Sequence, residues 1–325
     1  MPLVIEHPGR YACARDALTV GLLNNMPDSA LEATERQFAT LLGAASGPYE
    51  VRLRFSSIPE VPRGPAARER IQREYWPLER LLADVPDALI VTGMEPKAPA
   101  LEHEPYWERM MRLLEWVERH AVSSVWSCLA AHVAAQALSG VRRLRLPEKR
   151  FGVFAHHELI PHPLLQGLEA PLITPHSRWN DLPVQALKET GFQVLSASPS
   201  TGADLFVCQR SALLVAFQGH PEYEAITLLK EYRRDVGRFL QGEQPCWPTA
   251  PSGYFSRQAC ELLEAFRERA SAASDPRSRV EFPYQELAAQ CQAPWQAAGV
   301  AIYRNWLSHV AGLRGRLHLR ATAKV

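Results

Sequence analysis

The stretch Ser123-Ser-Val-Trp-Ser-Cys-Leu-Ala-Ala131 decides the fold of this chain. An apolar, β-prone run ends at Cys128 and passes directly into the alanine-rich segment 129–138, which predicts a strand, a sharp turn and a helix. A cysteine at such a turn lies at a helix N-terminus, where the backbone N–H groups and the helix dipole favour a thiolate and can stabilise a nearby oxyanion. The alternative is a core cysteine, because free cysteine is among the residue types most often buried.

Strand and helix patterns alternate on both sides of this stretch. Before it, strands are predicted at 17–23, 49–55 and 88–93, and helices at about 31–42, 68–83 and 106–120. After it, strands are predicted at 151–158, 192–198, 205–208 and 212–217, and a helix at 226–240. The polar residues 174–181 are expected to form a loop. This alternation predicts an α/β fold with a mainly parallel sheet flanked by helices.

A proline- and glycine-rich segment, Gly242 to Gly253, is the one convincing linker. It divides the chain into a predicted catalytic domain over 1–241 and a helical C-terminal appendage over 254–325. Helices are expected in the appendage at about 257–270, 283–291 and 295–313. The appendage has no cluster of catalytic residue types, and it is expected to pack on the core or on a second subunit.

Composition narrows the class of protein. The 325 residues are 46% hydrophobic, enough for a sizeable core, and 36 basic against 35 acidic residues give no reason to expect nucleic acid or an anionic membrane as a partner. A signal peptide and a membrane span are not expected, because no sufficiently long apolar run occurs. The cysteines are scattered without a Cys-x-x-Cys pair, which favours free thiols in the cytoplasm: Cys13, Cys128, Cys208, Cys246, Cys260 and Cys291.

A second polar motif, Gln218-Gly-His-Pro-Glu-Tyr223, directly follows the predicted strand 212–217. His220 is a candidate base for Cys128, and Glu222 is a candidate carboxylate to orient the imidazole, with Pro221 stiffening the turn. The alternative is that this motif merely begins a helix, with Glu222 favoured in the first turn by the helix dipole. Together, a cysteine at a strand–helix turn and a later His-Pro-Glu resemble class I glutamine-amidotransferase-like domains.

Further motifs narrow the resemblance. They are Asn25-Met26-Pro27, Glu35-x-Gln37-Phe38, Val91-Thr92-Gly93, Tyr106-Trp107, His156-His157, Pro175-His176-Ser177-Arg178, Gly219-His220-Pro221-Glu222-Tyr223 and Asn305-Trp306-Leu307. Together these motifs resemble the homoserine O-acyltransferase family typified by the bacterial homoserine O-succinyltransferases. The matches extend over about residues 17–241, with the last motif in the appendage.

The resemblance implies a two-step acyl transfer that supplies methionine synthesis. Cys128 would attack the thioester of an acyl-CoA, and His220, oriented by Glu222, would deprotonate the γ-hydroxyl of homoserine so that it attacks the acyl-enzyme. Backbone N–H groups at Leu129 and near Met94 would form the oxyanion hole. The resemblance implies no metal or prosthetic group, and it implies a homodimer.

Three further positions are carried over from the family as the amino-acid binding site: Lys149, Ser177 and Arg234. A guanidinium at position 234 would hold the carboxylate of the substrate. Each residue also has an alternative interpretation, since Lys149 belongs to a basic run that fits a solvated face, Ser177 fits a turn and Arg234 fits an exposed surface.

This chain departs from the family at the position that distinguishes the acyl donors, so the family rule does not decide the donor. Four residues after Gly93 the family has Gly or Glu, for succinyl-CoA or acetyl-CoA respectively, but this chain has Lys97. An ammonium can pair with the distal carboxylate of a succinyl group, so succinyl-CoA is expected; the alternative is that Lys97 points into solvent. Acetyl-CoA as donor, serine as acceptor, glutamine hydrolysis and a non-catalytic binding role remain as rival hypotheses.

Overall fold

The computed structural model describes residues 3–9, 16–272 and 281–322, and only the backbone of 316–322; Cys13 lies outside the described residues. The strands within these ranges are β1 (Leu3–Ile5), β2 (Leu18–Leu23), β3 (Val51–Ser56), β4 (Ala88–Val91), β5 (Ser123–Ser127), β6 (Leu144–His156), β7 (Glu158–Leu159), β8 (Leu172–Asp181), β9 (Gln193–Ser198), β10 (Gly202–Gln209) and β11 (Leu213–Phe217). The α-helices are α1 (Leu31–Ala45), α2 (Pro65–Glu74), α3 (Leu78–Ala83), α4 (Trp107–His120), α5 (Leu129–Ser139), α6 (Val184–Glu189), α7 (Thr227–Leu240), α8 (Arg257–Ala272), α9 (Tyr284–Ala288) and α10 (Gln296–Thr322).

One large sheet organises the molecule. Nine strands lie in the order β1-β3-β2-β4-β5-β11-β10-β9-β7. The strands from β1 to β11 in this order are all parallel, whereas β10, β9 and β7 extend the sheet in antiparallel pairs. The predicted α/β fold with a mainly parallel sheet is therefore confirmed, and the predicted hairpin of β10 and β11 is present.

Both faces of the sheet are covered. In β4 the alternate side chains Leu89 and Val91 join a core with residues of α4 and α5, while Ala88 and Ile90 join a second core with residues of α1 and α10. This division follows from the two-residue period of a strand, and it explains why β4 is a continuous apolar run. A third apolar cluster joins α7 to α8 and α9 around Phe266 and Trp295.

The predicted polar loop at 174–181 is wrong, because these residues lie in β8. This strand pairs with β6 in a separate two-stranded antiparallel sheet. Residues 174–176 and Arg178 are buried, Ser177 is partly exposed and Trp179 is exposed. A strand in a two-stranded sheet always has an open edge, which is why Pro175 is tolerated within it.

The single helix predicted over 68–83 is also wrong, since the segment forms α2 and α3 with a break between them. Pro77 cannot continue a helix and disfavours helical geometry in the residue before it. The backbone N–H of Trp76 instead donates to Phe55 O at 2.7 Å, and the indole is fully buried. Packing of one large aromatic side chain thus stabilises the interruption.

The C-terminal helix α10 packs directly on the large sheet. Its buried side chains belong to the same core as β2, β3 and β11, and they are Ile302, Tyr303, Trp306, Leu307 and Val310. The Nε1 of Trp306 donates to Ser123 Oγ in β5 at 3.0 Å. None of the helices among the described residues combines the length and apolarity that a membrane span requires.

Candidate active site

Cys128 lies at a strained turn between β5 and α5. Its φ of 53° and ψ of −115° fall outside the regions that an L-residue readily adopts. The helix begins at once, since Ala131 N donates to Cys128 O at 3.0 Å. The thiol is partly exposed. The turn therefore presents the sulfur at the carboxyl edge of the sheet, beside the N–H groups that begin α5.

The pairing of β5 with β11 brings His220 to the same edge. The two strands are parallel, and Ser127 lies opposite Phe217. The Cys128 N–H donates to Phe217 O at 2.7 Å, which ties the turn to the end of β11. Because parallel strands end at the same edge of a sheet, the segment after Phe217 emerges beside the cysteine.

His220 and Glu222 form a buried pair. The imidazole Nδ1 lies 2.8 Å from Glu222 Oε1, and both side chains are at least nine-tenths buried. Burial lowers the pKa of an imidazole, but the negative charges of Glu222 and Cys128 outweigh burial and hold the pKa of His220 well above its ordinary value. The ring of Tyr223 stacks on the imidazole with a centroid distance of 4.2 Å. The side chains that the sequence indicated as base and orienting carboxylate are thus in contact.

Gly93 lies against the start of α5. A Cβ atom added at this position would stand 3.0 Å from Leu129 N and 3.3 Å from Cys128 Cβ. This proximity follows from the pairing of β4 with β5, in which Val91 lies opposite Trp126. The space that the missing side chain leaves beside the Leu129 N–H adjoins Cys128 Cβ, at the place expected for an oxyanion hole. Met94, the next residue, is buried.

Asp204 fixes the chain just before His220. Its Oδ1 accepts from Gly219 N at 3.1 Å, its Oδ2 accepts from Thr174 Oγ1 at 2.9 Å, and its carbonyl accepts from Gln218 N at 2.8 Å. A Cβ at position 219 would lie only 2.6 Å from Asp204 Oδ1, so the close approach requires glycine. The buried Asp204 carboxylate therefore fixes the loop that carries the His220 imidazole.

Two histidines complete this buried cluster. The side chains of His156, His176 and Asp204 each offer a ligand atom within 4.8 Å of the others, as a metal site would. However, Arg178 Nε donates to His176 Nδ1 at 3.2 Å, which places the proton of His176 on Nε2, facing His156 Nε2 at 3.2 Å. The remaining His156 nitrogen, Nδ1, lies 3.3 Å from Thr201 Oγ1. With its Nε2 lone pair unavailable, His176 fits a hydrogen-bonded cluster better than a metal ligand.

The residues carried over as an amino-acid site converge on one carboxylate. Ser177 Oγ donates to Glu231 Oε2 at 2.5 Å, Lys149 Nζ lies 3.5 Å from the same oxygen, and Tyr223 Oη donates to Glu231 Oε1 at 2.9 Å. Since Tyr223 stacks on His220, this polar group adjoins the imidazole. Lys149 is largely buried, so the solvated-face interpretation is wrong for this member of the basic run.

Arg234 is connected to the polar group around Glu231 through Asp235. Its Nε donates to Asp235 Oδ1 at 3.0 Å, and Lys149 Nζ pairs with the other oxygen of Asp235 at 3.2 Å. The Arg234 side chain is half exposed, so its guanidinium faces both the group and solvent. The structure thus brings Lys149, Ser177 and Arg234 together through two acidic residues of α7.

Hydrogen bonds from its backbone fix the loop that carries Lys97. The N–H groups of Lys97 and Ala98 both donate to Glu104 Oε1, at 2.7 and 2.6 Å. The Lys97 residue itself is exposed. The geometry therefore favours the interpretation in which its ammonium points into solvent, and it gives no contact between Lys97 and the residues around Cys128.

Sequence reasoning missed two of the acidic residues that organise this site. Glu231 lies three residues before Arg234, one helical turn away on the same face, which is a signal that was available. No sequence motif marks Asp204, because its role depends on the pairing of β10 with β11.

The fold is that of class I glutamine amidotransferases. A solved structure of a glutamine amidotransferase from Methylobacillus flagellatus superposes with a TM-score of 0.51 over 91% of this chain and 96% of that one, at 15% identity. At the level of sequence, the model of the family "Homoserine O-succinyltransferase" matches residues 7–313.

Curated relatives agree with the family match. The homoserine O-succinyltransferase of Rhodopseudomonas palustris is 45% identical over 94% of this chain and 91% of its own length. The homoserine O-succinyltransferase of Methylorubrum extorquens is 46% identical over 90% of this chain and 87% of its own length. The chain therefore belongs to the homoserine O-succinyltransferase family, which confirms the resemblance indicated by the motifs.

Proposed function

We propose that this protein transfers the succinyl group of succinyl-CoA to the γ-hydroxyl of L-homoserine through an acyl-enzyme on Cys128, as a step toward methionine. The observation that carries the proposal is the buried contact of His220 with Glu222 at the sheet edge where Cys128 lies at a strand–helix turn, in a chain of this family. The names of the curated relatives support succinyl-CoA as the donor.

In the first half-reaction the Cys128 thiolate attacks the thioester carbonyl. The new carbon–sulfur bond forms a tetrahedral oxyanion, which accepts hydrogen bonds from the Leu129 N–H and from the backbone near Met94. Collapse breaks the bond to the CoA sulfur, and the proton held by His220 leaves with CoA. Exchange of one thioester for another is nearly balanced in energy, so a cysteine suits this step.

In the second half-reaction homoserine attacks the acyl-enzyme. His220 removes the proton of the γ-hydroxyl as the oxygen attacks, and then returns that proton to the departing Cys128 sulfur. The substrate amino acid is held by the group around Glu231 and Asp235, with Arg234 binding its carboxylate and Lys149 and Ser177 completing the site. The adjacency of this group to the imidazole through Tyr223 supports the assignment.

Acylation of Cys128 should favour the neutral form of His220, which acts as the base in the second half-reaction. In the free enzyme the Cys128 charge helps to raise the pKa of the imidazole, and acylation removes that charge. The imidazole is then more readily neutral when homoserine needs a base.

The Glu222→Gln variant tests this pH dependence. Since a general base acts in its neutral form, the rate of transfer to homoserine should rise with pH to a plateau, with its midpoint at the pKa of His220 in the acyl-enzyme. Removing the carboxylate that raises this pKa should move the midpoint about 1 to 3 pH units lower. Single-turnover transfer from isolated acyl-enzyme over a pH series measures the midpoint. A midpoint unchanged by the substitution would exclude Glu222 as the group that sets the pKa.

The proposed function is tested by intact-protein mass after mixing with succinyl-CoA or acetyl-CoA in the absence of homoserine. We expect a mass increment of one succinyl group that disappears when homoserine is added. An increment with acetyl-CoA alone would overturn the choice of donor. No increment with either donor would contradict the acyl-enzyme, and glutamine hydrolysis would then be the next assay.

The setting of the reaction is also proposed. The described cysteines, Cys128, Cys208, Cys246, Cys260 and Cys291, are all free thiols, which supports a cytoplasmic location. We propose that the reaction needs no metal or prosthetic group, because the steps above use only side chains and backbone N–H groups. The homodimer implied by the family remains a proposal as well.

A further inference from the structure

Two buried polar atoms near the candidate active site lack partners. Glu222 uses Oε1 to contact His220, but its Oε2 accepts no hydrogen bond from any described residue, although the atom is buried. The Tyr303 hydroxyl in α10 is likewise buried without a hydrogen-bond partner in the described part of the chain. A buried polar group without a partner is costly, so two such groups in one region call for an explanation.

The N-terminal part of α10 lies along the loop that carries the His220–Glu222 pair. Trp295 Nε1, just before the helix, donates to Tyr223 O at 2.8 Å. One helical turn later, a Cβ at Gly299 would stand 3.0 Å from Pro221 O, so the helix backbone approaches the loop closely. A further turn along the same face lies Tyr303. Trp295 and Gly299 thus contact Tyr223 and Pro221, the two residues that flank Glu222 in the sequence.

The ring of Tyr303 is fixed beneath the end of β11. It stacks on Phe217 with a centroid distance of 6.0 Å and an interplanar angle of 13°, and it packs edge-on against Trp306. Phe217 O accepts the hydrogen bond of Cys128 N, so one residue joins the aromatic stack to the strained turn. Burial first, and then the charge of the Glu222 carboxylate, raise the pKa of Tyr303 well above its ordinary value.

We propose that Tyr303 is a positioning residue of the acyl transfer. One ordered water joins its hydroxyl to Glu222 Oε2 by hydrogen bonds, and this bridge keeps the carboxylate in contact with His220. A buried water is stable where it bonds polar groups that otherwise lack partners. The helical segment after the linker thereby contributes to the reaction. This inference rests on the proposed function for its purpose, but its test does not need either substrate.

The variant Tyr303→Phe removes the hydroxyl and keeps the aromatic stack. With Glu222 held less firmly, the imidazolium of His220 is less stable, and the Cys128 thiolate that pairs with it is less populated near neutral pH. The rate of alkylation of Cys128 by iodoacetamide, followed by peptide mass spectrometry, measures this thiolate. We expect the rate at neutral pH to fall about fivefold, and the difference from the unmodified sequence to vanish at alkaline pH, where the thiol ionises without the imidazolium.

The controls separate positioning from general damage. Asn305→Ala removes two hydrogen bonds from the same helix to Leu164 O and Gln166 O, and it should leave the pH profile of alkylation unchanged. In Glu222→Gln the added Tyr303→Phe substitution should have no further effect, because the hydroxyl acts through the carboxylate. Equal loss at every pH, an unchanged profile, or additive effects in the double variant would each overturn the proposal.

A crystal structure of the unmodified protein gives a second test that does not depend on the variant folding. We expect a water within hydrogen-bond distance of both Tyr303 Oη and Glu222 Oε2. Their separation by packed side chains would overturn the proposal. Succinyl transfer and alkylation are independent readouts, so failure of acyl-enzyme formation would refute the proposed function and leave the role of Tyr303 to be decided by alkylation and by this structure.

Discussion

Replacing Cys128 with alanine is expected to lower kcat for succinyl transfer at least about 10⁴-fold. In the proposed mechanism the sulfur carries the acyl group in both half-reactions, so its loss would remove the covalent route and leave only the binding of the two substrates side by side. Steady-state release of CoA in the presence of homoserine measures kcat, and intact-protein mass should show no acyl increment. The fold should be retained, because alanine adds no atom to the turn.

Cys208→Ala is the matched control for this substitution. Cys208 lies in β10, is a partly buried free thiol, and burial raises its pKa, so it is not a reactive thiolate. The control should keep both the acyl increment and kcat. Retention of transfer within tenfold in Cys128→Ala would refute the acyl-enzyme on this residue and leave direct attack of homoserine on the CoA thioester as the remaining route.

Adding one methyl group at Gly93 is expected to lower kcat about 10²- to 10³-fold. The new Cβ would stand 3.0 Å from Leu129 N and 3.3 Å from Cys128 Cβ, in the space proposed for the oxyanion. Gly93 is not among the glycines with positive φ, so alanine can adopt its backbone conformation and the effect comes from the occupied space. The acylation rate from single-turnover release of CoA is the measurement.

The matched control is Gly43→Ala in α1. A Cβ there meets only Leu3 Cβ at an ordinary 3.8 Å, so activity should be unchanged, and the helix should gain a little stability. If Gly93→Ala leaves the acylation rate intact, the oxyanion hole does not lie at the Leu129 N–H, and the backbone near Met94 alone would have to stabilise the oxyanion.

The parts of the fold that the sequence predicts well are those governed by local pattern. The apolar runs that became β4, β5 and β11 are buried on both faces, and such runs have few alternatives in an α/β chain. Segment 174–181 was misjudged because its polar side chains are buried through partners distant in the sequence, such as Asp204 for Thr174. The break at Pro77 had a local signal, since proline interrupts helices, but the apolar spacing on either side of it suggested one continuous helix.

The candidate site divides in the same way. The proximity of Cys128 and His220 is predictable, because each directly follows a strand and parallel strands end at one edge of a sheet. The acidic residues that assemble Lys149, Ser177 and Arg234 depend on how α7 lies against β6 and β8, a relation between distant segments. The same holds for Tyr303, which precedes no recognisable catalytic pattern and reaches the site only because α10 covers the sheet.

The strained backbone at Cys128 holds the thiol in place at a cost in folding stability. A glycine would adopt a φ of 53° without strain, whereas a cysteine there costs on the order of 1 to 3 kcal/mol of folding free energy. Substitutions that relax this turn would therefore raise thermal stability while removing activity. Searches for heat-resistant variants should leave the turn untouched and seek their gains in elements far from it, such as the exposed face of α2.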